Sequence, residues 1–174
     1  AVMNGGAINV LGNNTYFNDD GTGTATFTMN GGTFMGANDI QISWDMAGTS
    51  TLNMNGGTMT AAANLQFGSG GADTGSGRIN LNGGVLQGED LVFNTTDSLI
   101  TFVGGELRIN GSAVSEANMG QLITDGKIDV SGAPGYLVST TGGYTVLAAV
   151  PEPNSVILVS LGLISGLGLL RRRS

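Results

Sequence analysis

Neither cysteine nor histidine occurs anywhere in this 174-residue chain. The first absence removes disulfide staples, thiolate ligands and thiolate nucleophiles. The second removes the commonest general base and the commonest metal ligand, and makes a Ser-His-Asp triad impossible. Proline is scarce at 3 residues, so the chain is neither collagen-like nor a proline-rich linker. Charge is scarce too, at 11% of residues, and the only basic positions are Arg78, Arg108, Lys127 and Arg171 to Arg173. Residues 1–153 hold three of these against all 13 acids, a formal −10. Nucleic acid is therefore not an expected partner, because binding it needs a basic stripe. An acidic, thiol-free body fits a soluble face outside the cell.

What the chain has in excess is glycine, 31 residues, more than twice the usual share of about 7%. The glycines are periodic. Gly-Gly pairs begin at Gly5, Gly31, Gly56, Gly83 and Gly104, with gaps of 26, 25, 27 and 21 residues. Two positions before each pair stand Met3, Met29, Met54, Leu81 and Phe102, and four before stand Phe27, Leu52, Ile79 and Ile100. This is the period-2 alternation of a strand with one buried face. Asn4, Asn30, Asn55 and Asn82 directly precede their pairs, with Val103 as the exception, and Asn-Gly-Gly suits a corner that needs positive φ. Apolar residues return three positions after the first glycine, at Ile8, Phe34, Met59, Leu86 and Leu107. A further strand follows in Asp39 to Ile42, Asn64 to Phe67 and Asp90 to Phe93.

No single copy can close a core, whereas stacked copies can. The expected fold is all-β: a β-solenoid, or parallel β-helix, with rungs of roughly 25 residues. Asn30, Asn55 and Asn82 then either form an amide ladder along one corner or simply tolerate the turn. The rival arrangement is an antiparallel sandwich of hairpins, since Asn-Gly between alternating apolar residues is also a hairpin signal. In the solenoid Ala1 falls inside the first strand of a rung, so an upstream segment is expected. An exported chain would also carry a signal peptide there.

After Gly111 the pattern changes. Met119, Leu122 and Ile123 fall at helical spacing, Ser115 is placed to cap, Glu116 suits the positive end of the helix dipole, and Gly126 is placed to close the helix. Lys127 to Val130 and Tyr136 to Ala149 are expected as strands, the second turning at Gly142-Gly143. Residues 112–149 are taken as a cap over the last rung, whose edge would otherwise be sticky. The expected division is 1–111 for the solenoid, 112–149 for the cap and 150–174 for the tail.

The tail begins Val150-Pro151-Glu152-Pro153, continues through an uncharged stretch from Ser155 to Leu170, and ends in Arg171, Arg172 and Arg173. Its 16 uncharged residues would span about 24 Å as a helix, against a hydrocarbon core of about 30 Å. The arginines would hold the C-terminus on the cytoplasmic side and leave the body across the membrane. This order of parts resembles the PEP-CTERM sorting signal. The resemblance implies an exosortase, a membrane transpeptidase-like enzyme of two-membrane bacteria, as processing partner. It implies transient anchoring through a transmembrane helix at 155–170 and release to the cell surface or an exopolysaccharide matrix. It implies that Pro151, Glu152 and Pro153, with Val150 before them, are the recognition residues and that Arg171 to Arg173 are the stop signal. The same tail is sometimes labelled an ice-binding protein C-terminus. Ser115 to Leu147 is similar to what often precedes that signal, and the Gly-Gly copies resemble autotransporter-associated β-strand repeats.

Several residues invite chemistry and do not form an expected site. Asn18-Asp19-Asp20-Gly21 is oxygen-rich but lacks the spaced carboxylates of a calcium loop. Glu89 and Asp90 are adjacent on a strand and point to opposite faces, unlike a glycosidase pair. Asp45 beside Trp44 could touch sugar. Thr22, Thr24, Thr26 and Thr28 alternate along one strand, as in an ice-binding array, yet Thr26 aligns with Thr51, Arg78 and Leu99, so the array does not persist. Arg78 and Arg108 are not equivalent within the repeat. The expectation is an exported, non-catalytic structural or adhesive protein of the surface or matrix, engaged in self-association or polysaccharide contact, with no catalytic residues, cofactor or metal. The alternatives are a fragment of a β-helix polysaccharide lyase or hydrolase, and a calcium- or ice-binding module.

Overall fold

The computed structural model describes residues 1–18, 22–44, 48–68 and 75–150. Five successive copies of the repeat wind into rungs. The first rung contains β1 (Val2–Met3), β2 (Ala7–Val10) and β3 (Thr15–Phe17), and the second β4 (Thr24–Met29), β5 (Thr33–Gly36) and β6 (Ile40–Ile42). The third contains β7 (Thr49–Met54), β8 (Thr58–Ala61) and β9 (Asn64–Phe67). The fourth contains β10 (Ser76–Leu81), β11 (Val85–Gly88) and β12 (Asp90–Phe93), and the fifth β13 (Leu99–Phe102) and β14 (Glu106–Asn110).

Each strand pairs in parallel with its counterpart one rung away, giving three sheets. The first sheet runs β1-β4-β7-β10-β13, the second β2-β5-β8-β11-β14 and the third β3-β6-β9-β12. Parallel pairing from rung to rung excludes the hairpin sandwich. It also puts like over like: Met29, Met54, Leu81 and Phe102 are register partners, as are Phe27, Leu52, Ile79 and Ile100, and Phe34, Met59, Leu86 and Leu107. Nearly all these side chains are fully buried in one continuous core. Period-2 alternation therefore becomes columns of apolar side chains running along the solenoid.

The core has room for large rings because small residues face them. Phe67 lies parallel to Phe93, with centroids 4.6 Å apart and planes 5° apart. Across the core its neighbour on β10 is Gly77, where a Cβ would come within 2.7 Å of the Phe67 ring. At the corner between the second and third sheets, Gly36 and Gly88 lie against Ile40 and Leu65 in the same way.

The Asn-Gly-Gly corner has two devices. The second glycine of every pair has positive φ, between +80 and +87° at Gly6, Gly32, Gly57, Gly84 and Gly105. The asparagine before it forms a ladder: the amide nitrogen of Asn30 donates to the Asn4 carbonyl oxygen at 2.7 Å, Asn55 to Asn30 at 2.8 Å and Asn82 to Asn55 at 2.9 Å. The ladder stops at the fifth rung, where Val103 takes the position. Asn55 both donates and accepts within it. Asn55→Ala is expected to lose about 1–2 kcal/mol in chemical denaturation, two net hydrogen bonds at a solvated site. An unchanged midpoint would mean that the asparagines only accommodate the turn.

The fifth rung is closed by different elements. Helix α1 (Glu116–Thr124) is capped by Ser115, whose hydroxyl accepts the Asn118 N–H, and Gly126 follows its end at φ +72°. Its Met119 is fully buried, and Leu122 and Ile123 pack against the core. Strand β15 (Ile128–Asp129) extends the first sheet in parallel beside β13. It is shorter than the stretch from Lys127 to Val130 expected from sequence, because the Lys127 N–H donates back to the Leu122 carbonyl at the end of the helix and the Val130 carbonyl accepts from Ala133 in a turn. Strands β16 (Tyr136–Thr141) and β17 (Tyr144–Ala149) form a hairpin through Gly142-Gly143, and β17 joins β14 in antiparallel sense. The second sheet thus ends on reversed strands that continue no parallel rung.

Candidate functional site

The segment of interest is the one that leaves the cap. Strand β17 is an interior strand, with five register pairs to β14 on one side and six to β16 on the other. Thr145, Val146 and Leu147 are buried, and Ala148 and Ala149 are half-buried. The order continues one residue further, where the N–H of Val150 donates to the carbonyl of Gly135 at 3.0 Å. Pro151 therefore follows directly on a hydrogen-bonded residue of the folded body. Of the expected recognition residues Val150 is described and exposed. Pro151, Glu152, Pro153, the apolar run at 155–170 and Arg171 to Arg173 lie outside the described residues. Among the described residues no helix is long and apolar enough to cross a membrane.

The other candidate residues are each engaged locally. The Glu89 carboxylate accepts from the Asn110 amide at 2.5 Å, while Asp90 accepts the N–H of Leu91 at 2.7 Å. Glu89 lies at the corner between β11 and β12 and not on a strand with Asp90 as expected, and the two carboxyls take separate partners. Arg108 pairs with Glu106, its Nε donating at 2.7 Å, and Arg78 is exposed on the first sheet. The Asp129 carboxyl is held below its usual range by the hydroxyl and backbone N–H of Ser131. Asn18 has φ +70° and donates to Gly23, but Asp19, Asp20 and Gly21 lie outside the described residues. So does Asp45; its neighbour Trp44 meets the Tyr16 ring edge-on at 5.7 Å. Among the described residues no group of three or more Asp or Glu is placed to hold a metal ion.

Threonine does not persist across the first sheet. Thr24 pairs with Thr49 and Ser76; Thr26 with Thr51, Arg78 and Leu99; Thr28 with Asn53, Asn80 and Thr101. Sequence reasoning missed that the last of these rows is a second amide column, with Asn80 donating to Asn53 at 2.7 Å. It missed a third corner device as well. The side-chain oxygen of Asn14 accepts the N–H of Asp39, and that of Asp39 accepts the N–H of Asn64. The recurrence of Asn or Asp at the start of the third strand was the available signal. It also missed the exposed Tyr136 and Leu137 beside the exit of the tail, where two apolar residues in succession break the alternation.

No curated protein and no solved structure matches the chain. A family model does match, and it covers the segment that begins at the end of β17. The PEP-CTERM protein-sorting motif occupies residues 149–173.

Proposed function

We propose that this chain is an exported, non-catalytic structural or adhesive protein of the cell surface or extracellular matrix, delivered there by its C-terminal signal. The motif at 149–173 implies export, transient membrane anchoring and an exosortase as processing partner. The observation that carries the reading is the direct attachment of that motif to a stacked β-solenoid. Val150 is still hydrogen-bonded to the cap, and the motif is already under way.

The role of the body rests on its surface. Outward rows of Thr, Ser and Asn run along the first sheet, joined from rung to rung by amide hydrogen bonds. They give a long polar face suited to self-association or to a hydrated polysaccharide, and the Gly-Gly copies resemble repeats of exported β-stranded proteins. A non-catalytic role is supported by the lack of histidine and cysteine and by the local engagement of Glu89, Asp90 and Arg108. Within the signal, Pro151, Glu152 and Pro153 act as recognition residues, residues 155–170 as the membrane segment and Arg171 to Arg173 as the stop.

The test is the C-terminal mass of the protein recovered from its native host, for wild type and for a variant with Pro151, Glu152 and Pro153 changed to alanine. Wild type is expected to lose the apolar tail and the variant to keep it through Ser174. An intact Ser174 in both proteins would refute processing.

A further inference from the structure

Four residues, Pro151 to Asn154, separate Val150 from the uncharged run that starts at Ser155. Fully extended, those five peptide steps reach about 17 Å. Whatever surrounds Val150 is therefore tethered within that distance of the point where the run enters a bilayer, a reach of about two to three headgroup layers that brings it to the membrane surface.

What surrounds Val150 is apolar. Val150 is 42% exposed, Leu137 is 56% and Tyr136 is 45%. The register brings them together. Tyr136 is the partner of Ala149 and Leu137 the partner of Ala148, while Val150 bonds back to Gly135. Leu137 lies in the outward row with Ala148 and Glu106, and Tyr136 lies on the opposite face with Ala149. The three side chains thus flank both faces of one free corner of the second sheet. In the Leu137 row the single carboxylate is Glu106, already paired with Arg108. The other exposed large apolar residues among those described are Val103 and, at the opposite end of the rungs, Val2, Ile8, Leu11, Tyr16 and Met35. Tyr136, Leu137 and Val150 converge at the exit of the chain. Tyrosine is enriched at the membrane–water interface, where its ring sits at the headgroup level, and the exposed Leu137 and Val150 add apolar surface beside it.

We propose that the corner formed by Tyr136, Leu137 and Val150 is a membrane-contact surface, seated in the headgroup region of the bilayer that holds the tail. This rests on the reading above that residues 155–170 enter a membrane. The occupant is the lipid surface and not a second copy, because a four-residue tether forces proximity to lipid and offers none to another chain. The solenoid then extends from the bilayer cap-first, with the first of the five rungs farthest from the lipid.

Because the chain lacks cysteine, single fluorophores can be placed cleanly at Leu137→Cys, Thr33→Cys and Ser165→Cys in the full chain. Thr33 is exposed on the same sheet, five strands from β16, or about 24 Å. The proteins are reconstituted in neutral phosphatidylcholine vesicles, with nitroxides at the headgroup or deep in the acyl chains. The label at 165 is expected to be quenched by deep nitroxides. The label at 137 is expected to be quenched by shallow ones at least about threefold more strongly than the label at 33, with the excess reduced by adding Tyr136→Ser and Val150→Ser. Quenching at 165 with equal, weak quenching at 137 and 33 would overturn the contact and leave the anchored tail standing. A label at 137 shielded from a water-soluble quencher but untouched by lipid nitroxides would assign the corner to a protein partner and also overturn it. No quenching at 165 would overturn the membrane reading and the contact together.

Discussion

Gly57→Ala is expected to destabilise the protein by about 2–5 kcal/mol, while Gly6→Ala costs only about 1–2 kcal/mol. The two glycines have the same role in the repeat and nearly the same backbone, φ +83 and +80°. Each substitution carries the left-handed backbone penalty of an L-residue. They differ in what lies one rung away. A Cβ on Gly57 would come within 2.6 Å of the Gly32 carbonyl oxygen and 2.8 Å of the Gly31 carbonyl carbon, whereas a Cβ on Gly6 meets nothing within 4 Å. The Gly32 oxygen cannot retreat, because it accepts the Thr58 N–H at 2.9 Å and so belongs to the inter-rung ladder. Relief requires separating the rungs, which strains the pairs on either side. Thermal or denaturant unfolding of the two variants measures the difference. Equal losses would mean that the glycines are needed for φ alone and that rung spacing does not depend on them.

The second large effect is expected at Phe67, where truncation to alanine removes about 3–5 kcal/mol. Phe67 is fully buried, stacks on Phe93 and reaches the bare backbone of Gly77 across the core. A ring filling the gap opposite a glycine leaves a cavity that neighbouring strands cannot collapse into, because their spacing is set by the ladders above and below. Phe93→Ala is expected to cost less, since Phe93 is only half-buried and its outer face meets the Lys127 ammonium, 5.5 Å from the ring centroid. If the two truncations cost the same, the stack between the rings, and not the fit of Phe67 against Gly77, dominates.

Much of this fold was legible because a parallel solenoid turns a linear period into a spatial column. Once the Gly-Gly pairs were aligned, the register of Phe27 over Leu52 and Met29 over Met54 followed, and the structure keeps both. The alignment of Thr26 with Arg78 and Leu99, read the same way, also holds. The third strand of the second, third and fourth rungs was visible as a repeated motif, and so were the Ser115 cap and the Gly142-Gly143 turn. What was not legible lies where the repeat ends. No period says that β17 lies antiparallel beside β14; that choice depends on which free edge the hairpin reaches after the helix crosses the core. Nor does alternation say that Tyr136 and Leu137 are exposed, since both would pass as core residues of an ordinary strand. The Asn53–Asn80 contact escaped because the outward rows carry no hydrophobic signal and their geometry depends on side-chain rotamers. Within the candidate site, the sorting motif could be recognised from its order of parts alone. Its hydrogen-bonded junction with the body needed the register of β16 and β17.

That junction has a mechanical consequence. Tension applied to the tail in the direction of β17, across the end of the solenoid, would load that strand along its own axis. Its bonds to β14 and β16 would then have to fail together in shear, because the load runs parallel to both ladders. A strand drawn from the interior of a sheet resists pulling far better than an edge strand unzipped one pair at a time. The cap therefore serves as a strain-bearing tether point for load in that direction, and forced extension along β17 through residue 174 should release the solenoid only after this one strand has slipped.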